Sequence, residues 1–432
     1  MSAVTATTTY PRFFRVRQTF ERPLVNDIPA EVESQLSSLN LAEKIKPGQS
    51  VAVTVGSRGV ANIHTIIKAA VDHLKRLEAK PFIVPAMGSH GGGAAEGQQA
   101  IVEGYGVTED FVGCPIRATM ETVIVCETKE GIPVHFDRYA YDADHVLVVG
   151  RIKPHTGFIG DIESGLMKMM LIGLGKHEGA KIYHRAINDY SFGQIVRSVA
   201  HRVLTECGIV AGLATLENGY DETAKIEAVA PERFETREKE LLVLAKQWMP
   251  RLPFRHVDVL LIDEFGKNIS GSGMDTNVVG RKFLDHRAGD DEFPKVKRII
   301  IRSLTEETHG NAAGIGGAEF CSKRVSEQID MDITRINCLT GGSPVGAMLP
   351  VCLDTEREVL DSALSTVGLV APENAGVLWI KNTLLVAEVE CSAKYLEEAE
   401  QRDDLEVISD LRELQFDDDD DLVSFQPALA TH

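Results

Sequence analysis

The sequence predicts an α/β protein of two domains, with parallel or mixed sheets flanked by helices and an active site in the interdomain cleft. Three observations carry this. A buried strand pattern at Val51–Val55, a helical pattern from Ile63 to Leu77 and a second buried run at Pro81–Pro85 form a βαβ unit. A proline-bearing break, MPRLPF at 249–254, interrupts the chain, and a second strand-and-helix series begins at Val257. The length of 432 residues suits two or three domains at about 150 residues each. The expected organisation is an N-terminal α/β domain over 1–250, a C-terminal α/β domain over 251–412 and an acidic tail over 413–432.

Taken in order, both strands of the βαβ unit are β-branched or apolar throughout, as a sheet covered on two faces requires. Each empties into a glycine-containing segment, GSRG from Gly56 and MGSHGGG from Met87. Val123–Cys126 and Ile132–Phe136, separated by ETKEG, predict a hairpin. His145–Val149 predicts a buried strand that ends in GRIKPHTGFIGD. Helices are expected over Ser164–Leu174 and Ser191–Thr205, strands over Ile209–Leu216 and Lys225–Val229, and an amphipathic helix over Pro231–Trp248. Beyond the break, strands are expected at Val257–Ile262, Arg298–Ile301, Met348–Cys352 and Val377–Ile380. No repeat of 20 to 50 residues points to a solenoid.

Charge narrows the possible partners. There are 45 Lys plus Arg against 64 Asp plus Glu, a net charge of −19, which argues against nucleic acid and anionic membranes. Thirteen acidic and three basic residues fall between Lys394 and Asp421, so most of the imbalance is local. The run Asp417–Asp421 repels itself and predicts a solvated, disordered tail. Seven scattered cysteines without a CxxC pair argue against a disulfide framework. The N-terminal residues contain neither a signal-peptide core nor a membrane helix, so the expected location is cytoplasmic.

The chemistry-bearing residues stand in loops. GxGxxG does not occur after the first strand, and neither GxxxxGK[ST] nor GxSxG occurs in a suitable setting. The strand ends lead instead to Arg58, His90, His155, Lys168 and His184. A guanidinium at Arg58 suits a carboxylate or phosphate through paired hydrogen bonds. The glycines around His90 permit close approach of backbone to a ligand. His155, Lys168, His177 and His184 fall within one short region, 151–186. His177 and His184 are spaced to share a helix face, although Gly179 argues against one uninterrupted helix. Neither HExxH nor a Cys/His zinc spacing is present.

With these landmarks in this order, and with His184 sixteen residues after Lys168, the chain resembles the nickel-pincer-nucleotide lactate racemase family in its shorter branch. The resemblance implies nickel and a nickel-pincer nucleotide, a pyridinium-derived thioamide/thiocarboxylate mononucleotide, as cofactors. It implies Arg58 on the substrate carboxylate, His90 and His155 as the two general acid/base groups, Lys168 as the cofactor-binding residue and His184 as the nickel ligand, with His177 as the fallback. GDIESGLMK departs from the SGG-containing run of lactate racemase, which leaves a covalent tether at Lys168 open. The implied partners are a small 2-hydroxy acid and cofactor-maturation proteins.

The implied activity is racemisation or C2 epimerisation of a 2-hydroxy acid by reversible hydride transfer through a 2-oxo acid. A clamped carboxylate and a fixed hydride acceptor make the hydroxyls of the two enantiomers point opposite ways, so one base cannot serve both. Two histidines answer that geometry. In GKNISGSGMDTNVVGRK, the polar residues Asn268, Ser270, Ser272, Asp275, Thr276 and Asn277 suit either turn formation or hydrogen bonds to a hydroxylated substrate. On the second reading Asn277 binds substrate, which favours a sugar acid such as an aldonate over lactate. The alternatives are a non-catalytic nickel or cofactor-binding protein and a zinc-dependent hydrolase.

Overall fold

The computed structural model describes residues 9–57, 59–282 and 293–425. The chain divides into two compact units: Glu21–Met249, and a second made of the chain up to Phe20 together with everything from Pro250 onward.

The Glu21–Met249 unit is built on a five-stranded sheet ordered Lys80–Pro85, Ser50–Val55, His145–Arg151, Ile209–Glu217, Thr223–Val229. The first four are parallel and the last is antiparallel. Residue parity assigns the two faces. Val51, Val53 and Val55 pack with helix Ile63–Arg76, whereas Ala52, Val146 and Val148 pack with helices Phe192–Glu206 and Phe234–Trp248. Double coverage explains why these strands read as apolar runs without alternation. Hairpin strands Thr122–Glu127 and Pro133–Asp137 form their own antiparallel pair.

The Ser50 strand has its sequence successor on one side and the His145 strand on the other, so strand order reverses between them. Ligands in open parallel sheets favour the carboxyl ends at such a point. Main-chain pairing across it covers Val51–Val53, after which Thr54 Oγ1 takes over, accepting from Val149 N at 2.8 Å and donating to Val149 O at 3.2 Å. The hydroxyl thus satisfies backbone groups where the strands stop pairing and their loops leave.

The other unit carries an eight-stranded sheet, Val351–Leu353, Phe320–Ser322, Lys295–Ile301, His256–Ile262, Val377–Ile380, Glu388–Ser392, Phe13–Gln18, Leu405–Val407. Its first five strands are parallel and the rest antiparallel. Phe13–Gln18 therefore belongs with the C-terminal sheet, unlike the expected 1–250 domain. Phe13, Phe14 and Val16 are fully buried there, and the pairing is long-range, which no local pattern reveals.

The acidic run also differs from the expected solvated tail. Asp420 pairs with Arg357 at 2.8 Å and Asp421 with Arg324 at 2.5 Å. Leu422 is buried, its N–H donating to Glu356 at 2.8 Å and its carbonyl accepting from Arg302 at 2.6 Å. Arginines on the same unit offset the self-repulsion that the local sequence displays.

Candidate active site

Arg58 lies outside the described residues, just beyond the Ser50–Val55 strand. The other four principal candidates, His90, His155, Lys168 and His184, all belong to the Glu21–Met249 unit.

His90 projects from the loop after Lys80–Pro85. Its Nδ1 lies 2.7 Å from Met87 O and 3.2 Å from Ser57 Oγ. A carbonyl only accepts, so Nδ1 carries the proton and Nε2 of the neutral ring keeps the lone pair, the form a general base requires. The loop is pinned from beneath: a β-carbon on Gly91, at φ 66°, would stand 2.6 Å from the Gly97–Gln98 backbone. Only glycine fits that approach.

His155 sits in a loop closed by the Lys153–Ser164 bridge. Buried Glu163 accepts from His155 N at 2.7 Å and Gly160 N at 3.3 Å, and Lys246 Nζ lies 2.5 Å from its carboxylate. The imidazole stacks on Phe158, with centroids 4.5 Å apart, and Phe158 stacks on Phe192 at 4.4 Å. Gly157 N–H donates to Nδ1 at 2.9 Å, which places the neutral ring's proton on Nε2. In their neutral forms the two histidines thus carry the proton on opposite ring nitrogens.

Lys168 ends a short helical turn, Leu166–Lys168, that continues as a π-helix over Met169–Gly173, where a single helix was expected across Ser164–Leu174. Such wide turns are frequent at functional sites. Helix Lys176–Asp189 comes next and carries both His177 and His184, so the interruption expected at Gly179 does not occur. Gly179 is accommodated because Tyr183 fills its place: a β-carbon there would be 2.9 Å from the Tyr183 ring. Burial, and then the nearby Lys168 charge, lower the His184 pKa to about 4. His184 is therefore a neutral imidazole at physiological pH, the form that ligates a metal. His177 Nδ1 is buried without a hydrogen-bond partner among the described residues, and a β-carbon on Gly93 of the His90 loop would come 3.7 Å from it.

These pieces converge. A β-carbon on Gly56 would touch Met169 at 3.0 Å, Gly88 N donates to Gly173 O at 3.3 Å, and Gly150 faces Gly165 and Met169. The ends of three adjacent parallel strands therefore pack on the segment that bears Lys168. Among the described residues no group of three or more His, Cys, Asp or Glu is placed to hold a metal ion. The neutral imidazole of His184, with the Lys168 charge nearby, fits a single ligand to a metal whose other donors come with a cofactor.

Asn277 lies in the other unit, in the short helix Thr276–Val279. Its Nδ2 donates to Asp275 Oδ1 at 2.9 Å, and its backbone N–H donates to the same oxygen at 2.9 Å. Asn268 accepts from Thr305 at 2.6 Å and Ser272 donates to Met274 O at 2.6 Å. Turn formation accounts for much of that segment's polarity.

Sequence reasoning missed Glu238. Its carboxylate accepts from Met167 N at 2.9 Å and caps the Lys168 turn, and Gly165 is glycine because a β-carbon would lie 2.6 Å from that carboxyl group. The signal was present: Glu238 shares the buried face of its helix with Phe234, Leu241, Leu242 and Ala245, a carboxylate on an apolar stripe. Burial raises its pKa to about 7. The folded state thus holds this proton more tightly than the unfolded chain does. Glu238 contributes stability fully below about pH 4.5, and that contribution is lost as pH rises through 7, by at most about 3 kcal/mol. Glu238→Gln should match the wild type in urea unfolding at pH 5 and exceed it at pH 8.5; equal midpoints at both pH values would remove the effect.

Residues 18–192 match the lactate racemase N-terminal domain, a span that contains Arg58, His90, His155, Lys168 and His184. The structure of the lactate racemase apoprotein from Thermoanaerobacterium thermosaccharolyticum is similar over 80% of this chain and 86% of that one, at 12% identity and a TM-score of 0.49. No curated protein matches the chain. The family match thus covers 175 of the 432 residues, and over that span the chain is similar to the N-terminal domain of lactate racemase.

Proposed function

We propose that this protein is a nickel-pincer-nucleotide-dependent racemase or C2-epimerase of 2-hydroxy acids. The observation that carries the reading is the packing of the His90 and His155 strand-end loops around the segment that places Lys168 beside a neutral His184. Lys168 would hold the nucleotide and His184 the nickel. When bound, the cofactor supplies a reversible acceptor for the C2 hydrogen with its electron pair. Arg58 would grip the carboxylate. In one direction the Nε2 lone pair of His90 takes the hydroxyl proton as C2 is oxidised to the 2-oxo acid. For return on the other face, His155 would give a proton to the oxygen from its imidazolium form, in which Nδ1 no longer accepts the Gly157 N–H. The two histidines exchange roles for the reverse reaction.

A sugar acid such as an aldonate is our proposed substrate class, resting on the polarity of the Asn268–Asn277 stretch. Because several of those groups hydrogen-bond to one another, lactate belongs in the same test. A panel of 2-hydroxy acids, each deuterated at C2, should reveal interconversion by the cofactor-loaded protein with the label largely kept in the product. Rapid loss of label to solvent would instead make the histidines carbon bases. A loaded protein that leaves every member unchanged would favour a cofactor-binding role without catalysis, and zinc rather than nickel on metal analysis would favour a hydrolase.

A further inference from the structure

We propose that the buried string Asp137–Lys176–Gln98 is a positioning device that sets the His90 loop against the helix carrying His184; the proposal rests on His90 having the proton-transfer role given above. All three side chains are fully buried. Lys176 Nζ lies 3.0 Å from Asp137 Oδ2, donates to Gln98 Oε1 at 3.1 Å and donates to Pro85 O, the last residue of the strand that leads into the His90 loop. Two ammonium protons therefore have hydrogen-bond acceptors, and Asp137 supplies the counter-charge. Gln98 turns its amide nitrogen the other way, donating to Gly88 O at 2.9 Å and to His90 O at 3.3 Å.

The string thus ends on backbone carbonyls of the His90 loop, one of them that of His90 itself. Its other end is anchored in the hairpin, where Asp137 Oδ1 also accepts from Ala140 N at 2.9 Å. Lys176 opens the helix that carries His177 and His184 and does so at φ 54°, a left-handed conformation uncommon for a residue with a β-carbon. A buried lysine with two fixed acceptors and a counter-charge over-determines that backbone. The same contacts limit how far the His90 loop and the His184 helix can shift relative to each other. In proton transfer this matters, because a displacement of about 1 Å can cost on the order of 10²-fold in rate.

Gln98 is the member to change, since its replacement leaves the Lys176–Asp137 ion pair in place. Gln98→Leu removes both halves of its role. Gln98→Glu keeps an acceptor for Lys176 but loses the donor to the loop. If Gln98 positions His90, both variants should fold, lower kcat for 2-hydroxy acid interconversion by roughly 10- to 100-fold with KM little changed, and retain nickel and nucleotide. A second readout needs no turnover: in cofactor-free protein, acylation of His90 by diethyl pyrocarbonate, measured against His155 by peptide mass spectrometry, should change several-fold. Folded variants with wild-type His90 labelling and wild-type kcat would overturn the proposal, as would a lowered melting temperature accompanied by neither change. Shifted labelling in a protein that turns over no 2-hydroxy acid would uphold the positioning role and reject the racemase reading.

Discussion

Replacing either His90 or His155 with alanine is expected to lower kcat for interconversion by about 10²–10⁴-fold, the usual worth of a positioned general acid or base. Nickel and nucleotide content should stay near wild type, because the proposed reading gives those roles to His184 and Lys168 and not to either of these histidines. The two variants should also differ in kind. His90 presents an Nε2 lone pair in its neutral form because Met87 O takes the Nδ1 proton, whereas Gly157 N–H fixes the other tautomer at His155. Starting from one enantiomer, loss of His90 and loss of His155 should therefore slow different half-reactions. Single-turnover measurements of the 2-oxo acid from each enantiomer separate them. Alanine variants within about threefold of wild type in both directions would remove the histidines from the chemistry.

The largest effect on stability is expected at Lys176. Lys176→Met removes the ammonium and leaves Asp137 buried without its counter-charge, at a cost of about 3–5 kcal/mol. Burial already pushes the Asp137 carboxyl above its usual range, with the attraction of Lys176 opposing that rise. Adding Asp137→Asn to Lys176→Met should recover most of the loss, since Asn keeps the oxygen that caps Ala140 while carrying no charge. Urea unfolding of the wild type, the single variant and the double variant tests this. A double variant no more stable than the single would show that the ion pair is not the source of the cost.

Strands covered on both faces announce themselves because both parities must be apolar, and Val51–Val55 and His145–Val149 were legible for that reason. The glycine-bearing loops were legible because close backbone approach excludes other residues, and the spacing of Lys168 and His184 was written in the chain. Other features depended on contacts between distant segments. Phe13–Gln18 joins the C-terminal sheet through partners more than 370 residues away, so its own neighbours in sequence carry no trace of the pairing. The acidic run is held by arginines that its local charge count cannot include. Gln98, Glu163, Lys176 and Glu238 read as ordinary polar residues until folding buries them among loop carbonyls and N–H groups. Composition and spacing determined which groups are available for chemistry in this protein. Which polar groups were buried, and therefore which loops were held rigid and which histidine nitrogen kept its lone pair, only the tertiary structure decided, because desolvation and hydrogen bonding act through space rather than along the chain.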